Sequence, residues 1–261
     1  MKLIRSIFFY IILVFSTIIF GSSAIVTSYF SRTWPRIMAR LWGRTNLWAA
    51  GAKVTVNGLE NIDSRGPYIL ASNHQGWFDI FAALSDIPIY FSWLAKEELF
   101  KIPVLGRAMY SAGYIPIDRS DRRKALISMN KAAEAVRNGT SIFIFPEGTR
   151  SVDGVMKEFK KGGFVLAAKS RQPIVPISIS GSYRILPKSS WMIHSGPIRI
   201  TIAKPVMCPE DGGTSAKNRD LLLHQVREAI RSNLTEEEAG SAAGPASEQP
   251  AGNGGDSSCN V

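Results

Sequence analysis

Two side chains able to move a proton stand close together in the first third of this chain. In the stretch SNHQGWFD, Ser72 to Asp79, His74 and Asp79 are five residues apart with Gly76 between them. A carboxylate that holds one imidazole nitrogen protonated leaves the other free to accept a proton. On an ideal helix a five-residue offset separates two side chains by about 140°, so contact between them requires a turn. The sequence permits one: YILAS reads as a strand ending, Gly76 allows the chain to bend, and Asp79 begins a helical run. Two plainer readings stand beside this, with Asp79 as a helix cap and His74 as a polar loop residue. A metal site has less support, because His194 and His224 have no acidic or thiolate cluster at ligand spacing. A nucleophile triad also has less support, since there is no Gly-x-Ser-x-Gly elbow and neither cysteine opens a helix. If His74 is a base, its proton comes from a substrate hydroxyl.

A second stretch, FIFPEGTRS, runs from an apolar strand into Pro146, Glu147, Gly148, Thr149 and Arg150. Strand ends are where open α/β sheets bind ligands. Gly148 lets backbone N–H groups approach an anion, and Arg150 can grip a phosphate with two parallel hydrogen bonds. The alternative is a plain turn with an exposed Arg–Glu pair. GYIPIDRS is another strand end with a charged pair, Asp118 and Arg119.

Alternating elements must position these residues. KVTVNG, YILAS, IYFSWLA, GYIPIDR, SIFIF, PIVPISISG and PIRITIA read as strands. Helical patterns start near Asp79, run from about Glu97 to Ser111, and extend from Ser120 as N-cap to just before Gly139. EFKKGGFVLAAKS is a weaker helix, and AKNRDLLLHQVREAIRSNL is an amphipathic one. Strands separated by helices imply an α/β domain with a mostly parallel central sheet flanked by helices.

The 261 residues suffice for one core, and the formal net charge is +10. From Ser232 onward there is no Lys or Arg, but Glu236, Glu237, Glu238, Glu248 and Asp256 occur, so the body is more basic still. A basic body suits an anionic partner: an acidic membrane, a phosphate substrate or a nucleic acid. The last is disfavoured by the apolar N-terminus and the lack of an aromatic RNA motif. Cys208 and Cys259 imply no disulfide framework, which fits a reducing compartment.

No charge occurs from Ser6 to Ser31, and Arg32, Arg36, Arg40 and Arg44 follow at once. Clustered arginines favour a cytoplasmic membrane segment over an exported signal peptide. Ser6 to Phe20 gives about 22 Å of helix, short of the roughly 30 Å hydrocarbon core, and Gly21, Ser22 and Ser23 could let the chain turn. The expectation is a helix pair. The first member sits in one leaflet; the second, Arg32 to Trp48, lies along the interface with arginines toward lipid phosphates. A single span is the alternative. Residues 1–50 thus form a membrane-embedded or interfacial segment, 51–235 the α/β domain and 236–261 a disordered acidic tail.

Taken together, the stretches resemble the glycerolipid acyltransferase family, and within it the bacterial 1-acylglycerol-3-phosphate acyltransferases. Asn73, His74 and Asp79 match the family's N-H-x4-D motif, and Gly113 to Arg119 match its G-x5-R. Phe145 to Ser151 match F-P-E-G-T-R-S without departure, and Val175 to Ile177 match V-P-I. The resemblance covers roughly Lys53 to Pro205 and implies acyl transfer to lysophosphatidic acid. The donor would be a thioester, acyl-CoA or acyl-carrier protein, used as co-substrate with no cofactor. It implies His74 as general base, Asp79 as its orienter and no acyl-enzyme. Arg119 and Arg150 look like the family's phosphate-binding arginines, with Glu147, Gly148 and Thr149 shaping that site. Lys96 or a backbone N–H would stabilise the oxyanion. The resemblance implies the cytoplasmic face of a bacterial inner membrane and contact with anionic lipid. Another acceptor (a different lysolipid or glycerol-3-phosphate), or a non-catalytic lipid-binding role, stays open.

Overall fold

A computed structural model describes residues 2–63, 66–208 and 216–240. Its centre is a seven-stranded sheet: β1 (Ala52–Asn57), β2 (Ile69–Ser72), β3 (Phe91–Lys96), β4 (Ile115–Ile117), β5 (Ser141–Ile144), β6 (Ile174–Ser180) and β7 (Gly196–Ile202). The strand order is β1-β7-β6-β2-β5-β3-β4. Neighbours are parallel except β6 and β7, which run antiparallel. Strands β2, β5 and β6 are buried on both faces, so they read as continuous apolar runs rather than alternating ones.

Successive side chains of β2, β5 and β6 feed two separate cores. Leu70, Phe143 and Val175 point to one face, toward α1 (Lys2–Thr27), α2 (Trp34–Ala50), α3 (Phe78–Asp86) and α4 (Leu105–Ser111). Ile69, Ile142 and Ile174 point to the other, toward α5 (Arg122–Arg137), α6 (Gly162–Ser170) and α8 (Ala216–Arg231). Two short helices, α7 (Ser182–Ile185) and α9 (Glu236–Ala239), complete the described chain. The expected α/β architecture with a mostly parallel sheet is what forms.

Three sequence expectations change. First, α1 does not weaken at Gly21 to Ser23 but continues to Thr27. Its 26 residues amount to about 39 Å, so length alone no longer excludes a span. A Cβ at Gly21 would lie 2.7 Å from Val104 Cγ1, so this glycine marks close packing on α4 rather than a bend. The chain turns later, around residues 28–33. Second, the helix expected from Glu97 to Ser111 is broken into a 3-10 turn, Glu97–Lys101, and α4. Pro103 lies in the break, where it cannot donate to a helix ladder, and Val104 has φ +62°. Third, Asp121 rather than Ser120 caps α5, accepting from the N–H groups of Arg123 and Lys124.

The arginines of α2 also depart from expectation. Arg36 stacks 3.4 Å over the Tyr90 ring and Arg40 donates to the Ile87 carbonyl at 2.6 Å, so both turn toward the domain. Helix α1 is docked lengthwise. Phe9 packs on Phe78 and Phe81, the Ile193 N–H donates to Ser6 Oγ at 2.8 Å, and Trp42 Nε1 donates to Thr17 at 3.0 Å. Ile4, Ile7, Ile11, Phe15, Ile18 and Ile19 recur at helical spacing and are exposed on its outer side. The residues expected to open a disordered tail, Glu236 onward, instead form α9, docked on the domain; 241–261, with Cys259, lie outside the described residues.

Close approach of α2 to α3 depends on Gly43. A Cβ there would meet the Phe81 carbonyl oxygen at 2.8 Å and Leu84 Cβ at 3.2 Å. Alanine gains about 1 kcal/mol of helix propensity over glycine. The obstacle is backbone that no rotamer change can relieve, and overpacking costs about 1–3 kcal/mol. Gly43→Ala is therefore expected to lower the midpoint of thermal unfolding by a few degrees. A rise in that midpoint would show that α2 and α3 separate freely.

Candidate active site

His74 and Asp79 come together where β2 leaves the sheet. Ser72 ends the strand, and the chain bends through Asn73 to Trp77 before α3 starts at Phe78. Asn73 fixes that exit. Its amide nitrogen donates to the Ile179 carbonyl and its amide oxygen accepts the Ile179 N–H, both at 2.8 Å, clipping the turn to β6. The bend brings His74 Nδ1 to 2.8 Å from Asp79 Oδ2. The same oxygen accepts the N–H groups of Gln75 and Gly76 at 2.7 and 2.8 Å. An oxygen that gathers backbone donors is an acceptor, so in the neutral ring Nδ1 carries the proton and Nε2 keeps its lone pair. Asp79 thus lies in the first turn of α3, binds the turn preceding its own helix, and orients His74. The other oxygen, Oδ1, accepts from Ser182 Oγ. Asp79 is fully buried, while His74 lines a cavity and stacks on Phe145 with centroids 3.8 Å apart.

The FPEGTRS loop meets this bend from β5. Glu147 is buried and stands behind the histidine: Oε1 accepts the His74 N–H at 2.7 Å and Oε2 the Lys157 N–H at 3.1 Å. It is not among the cavity-lining residues, so it braces the loop rather than facing a ligand. Ser151 adds a second tie, its N–H donating to the His74 carbonyl at 2.8 Å. Gly148 has φ +76°, the left-handed region that favours glycine, and its carbonyl accepts from Arg119.

Arg119, Gly148, Thr149 and Arg150 line the same cavity as His74. Among the described residues neither arginine forms an ion pair with a carboxylate. Burial lowers the pKa of both guanidinium groups, opposed by Glu98 near Arg119 and by Asp79 near Arg150. Arg119 is exposed and Arg150 partly buried, and guanidinium groups so placed can receive an anion. Arg150 also lies 5.3 Å over the Trp77 ring. Lys96 reaches the cavity from the end of β3, yet it is 57% exposed and paired with Glu98 at 2.9 Å. Lys160, which sequence reading did not single out, joins this cationic end; a Cβ at Gly148 would lie 3.1 Å from its stem. Ser182 was missed as well, and nothing in its local sequence marks it.

The cavity measures about 550 Å³ and changes character along its length. Beyond His74 its walls are apolar, built from α1, α2, α3 and α4 by residues such as Phe20, Met38, Trp42, Phe81, Leu105 and Met109. One end can hold an anion, the other a hydrocarbon chain, and the carboxylate-bound imidazole of His74 stands on its wall. Among the described residues there is no group of three His, Cys, Asp or Glu placed to hold a metal ion.

The acyltransferase family model matches residues 53–180. A 1-acyl-sn-glycerol-3-phosphate acyltransferase of Pseudomonas aeruginosa is 34% identical, over 82% of this chain and 84% of that protein. Chloroplastic proteins of the same name from Brassica napus and Arabidopsis thaliana are 36% and 35% identical, over 78% and 74% of this chain. The match covers 57% and 56% of those two proteins, so the chain spans somewhat more than half their length. Among solved structures, the 1-acyl-sn-glycerophosphate (LPA) acyltransferase PlsC of Thermotoga maritima is 28% identical. It aligns with a TM-score of 0.76 over 88% of this chain and 95% of that one.

The placement of Glu147 has a consequence for stability. Burial pushes its carboxyl up to about 7 from 4.5, against the opposing pull of the His74 and Lys157 N–H donors. A carboxyl more basic in the folded chain than in the unfolded one favours folding at low pH. Its contribution is fully present below about pH 4.5 and is lost as pH rises through about 7. Across that window the parent should lose up to about 3 kcal/mol of unfolding free energy relative to Glu147→Gln, measured by chemical denaturation in detergent. A parent–variant difference that stays constant with pH would contradict the assignment.

Proposed function

Because the chain belongs to the acyltransferase family, we propose that it is a 1-acylglycerol-3-phosphate O-acyltransferase that converts lysophosphatidic acid to phosphatidic acid. The observation that carries this reading is the cavity with a carboxylate-held histidine on its wall, cations at one end and an apolar throat at the other. Arg119 and Arg150 bind the acceptor's phosphate, with Gly148, Thr149 and Lys160 beside them. The acceptor's sn-2 hydroxyl then sits at His74 Nε2. As the hydroxyl oxygen attacks the thioester carbonyl, Nε2 takes its proton and Asp79 stabilises the imidazolium that forms. Lys96 or a backbone N–H stabilises the oxyanion. Collapse of the adduct breaks the carbon–sulfur bond, and the departing thiolate recovers the proton from His74.

No acyl-enzyme is required, because a thioester is already activated and the attacking alcohol is the substrate itself. The donor, acyl-CoA or acyl-carrier protein, serves as co-substrate without a further cofactor. Substrate and product both carry hydrocarbon chains that belong in a bilayer. The outward stripe of α1 suits immersion in the cytoplasmic leaflet of a bacterial inner membrane, beside anionic lipid. Docked lengthwise on the domain, α1 would carry the domain's flank with it, which favours one leaflet over a lone span.

Turnover is measured by mass spectrometry with a panel of lysolipid acceptors and both donor types. Lysophosphatidic acid is expected to be the acceptor that supports it. His74→Ala is expected to lower turnover about 100- to 10,000-fold in a folded protein. Arg150→Ala is expected to weaken use of lysophosphatidic acid about 10- to 150-fold, more than use of the donor, with Arg150→Lys recovering only part. Turnover of His74→Ala within about threefold of the parent would remove the general base from the mechanism. An Arg150→Ala defect confined to the donor would move the phosphate site elsewhere.

A further inference from the structure

Asp79 is held from behind as well as from the cavity side. Ser182, fully buried at the start of α7, donates to Asp79 Oδ1 and lies 3.5 Å from Gln75 Oε1. The residue before it, Gly181, has φ +90°, and a Cβ there would meet the Pro197 carbonyl oxygen at 2.5 Å, so this corner is tightly seated against β7. What fixes it on the remaining side comes from the far end of the described chain. Glu238 of α9 is buried, its Oε1 accepting the Gly181 N–H at 2.8 Å and its Oε2 the Ser180 hydroxyl at 2.5 Å. Burial opposes ionisation of Glu238, but the donors from Ser180, Gly181 and Thr235 outweigh it and hold the carboxyl below its ordinary value. Thr235 and Glu238 close a reciprocal capping box on α9, which keeps the carboxylate aimed inward. The Glu238 carbonyl also accepts the Met156 N–H at 2.8 Å, and Gln75 Nε2 donates to the Gly154 carbonyl at 3.0 Å. The same turn therefore secures the segment that follows FPEGTRS.

We infer that Glu238 and Ser182 are positioning residues of the active site, with the C-terminal turn acting through Gly181 and Ser182 to hold the Asp79 carboxylate in the orientation that aligns His74. This rests on the reading of His74 as the general base. The chain is thus closed on its own catalytic pair by Ser182, 103 positions from Asp79, and by Glu238, more than 150 positions away. Arg150 and Glu147 are the other charged groups that act on, or are acted on by, Asp79.

The test is a double-mutant cycle on the full chain with two readouts. One is kcat and KM with lysophosphatidic acid. The other needs no substrate: the pH dependence of His74 carbethoxylation by diethyl pyrocarbonate, followed by peptide mass spectrometry with His194 and His224 as internal references. Ser182→Ala leaves Asp79 with one donor fewer and changes how the carboxylate meets His74. The midpoint of His74 modification should then move by roughly half a pH unit or more. Its kcat should fall about tenfold or more with KM little changed, since small misplacements of a base are costly, and Ser182→Thr should restore both. Glu238→Ala should lower kcat by a similar factor, and in the Ser182→Ala background it should add less than about twofold. Glu237→Ala, on the same turn but exposed and paired with Arg184, should match the parent. Where Glu238→Ala does not fold, Glu238→Gln carries the same cycle. Additive losses with an unmoved His74 profile would overturn the inference and leave α9 a stabilising turn. A parent that acylates no lysolipid would refute the functional reading, while the carbethoxylation profile would still decide this one.

Discussion

The 2.8 Å hydrogen bond between His74 Nδ1 and Asp79 Oδ2 joins two residues that a continuous helix would point about 140° apart. It exists because the chain between them is bent and the bend is held by hydrogen bonds to several of its backbone groups. Asn73 clips the strand end to β6, Glu147 takes the His74 N–H, and Ser151 takes the His74 carbonyl. Asp79 itself collects the next two N–H groups and a hydroxyl. A buried carboxylate is costly unless its lone pairs are filled, and here they are filled by the turn that it orients and by Ser182. The tautomer of His74, and with it the basic nitrogen facing the cavity, follows from that satisfaction.

The rest of the fold supplies what stands in front of this nitrogen. The parallel strands β2 and β5 end side by side, so the His74 bend and the FPEGTRS loop emerge together. Arg119 arrives from the end of β4, two strands away. The cationic end of the cavity is thus built where β4 and β5 end. Its apolar end is built by helices, with α1 and α2 contributing walls that the α/β domain alone would lack. The N-terminal helices therefore have two sides: an inner side that lines the cavity and an outer side that exposes an apolar stripe. A ligand with an anionic head and a hydrocarbon chain fits an opening that meets both a charged surface and lipid.

Much of this was legible in the sequence where the signal is local. The strands carry apolar runs, the helices carry period and caps, and the pairing of His74 with Asp79 follows from a strand end, a glycine and a helix start. Four motifs in order pointed to the family. What was not legible depends on distant partners. Ser182 meets Asp79 across 103 residues, and Glu238 meets Ser180 across 58, with no local pattern to announce either. Glu147 reads as a charge beside a phosphate loop, yet its burial turns it toward backbone N–H groups instead. Gly21 reads as a helix weakness, but its missing side chain is what lets α4 approach. Glu236 to Gly240 read as the start of an acidic tail, because a composition rule cannot see that Glu238 finds buried donors. The break at Pro103, by contrast, could have been read from the proline alone.

The central claim is that His74 activates the acceptor's hydroxyl for direct attack on the thioester, with no acyl group passing through the protein. A single-turnover experiment tests it most directly. The parent in lipid is mixed with acyl thioester, first without and then with lysophosphatidic acid, while free thiol, phosphatidic acid and intact protein mass are followed together. Direct transfer predicts no thiol release and an unmodified mass until the acceptor is added, then thiol and phosphatidic acid appearing at one common rate. A burst of thiol before the acceptor arrives, with an acyl group added to the mass of the chain, would contradict it.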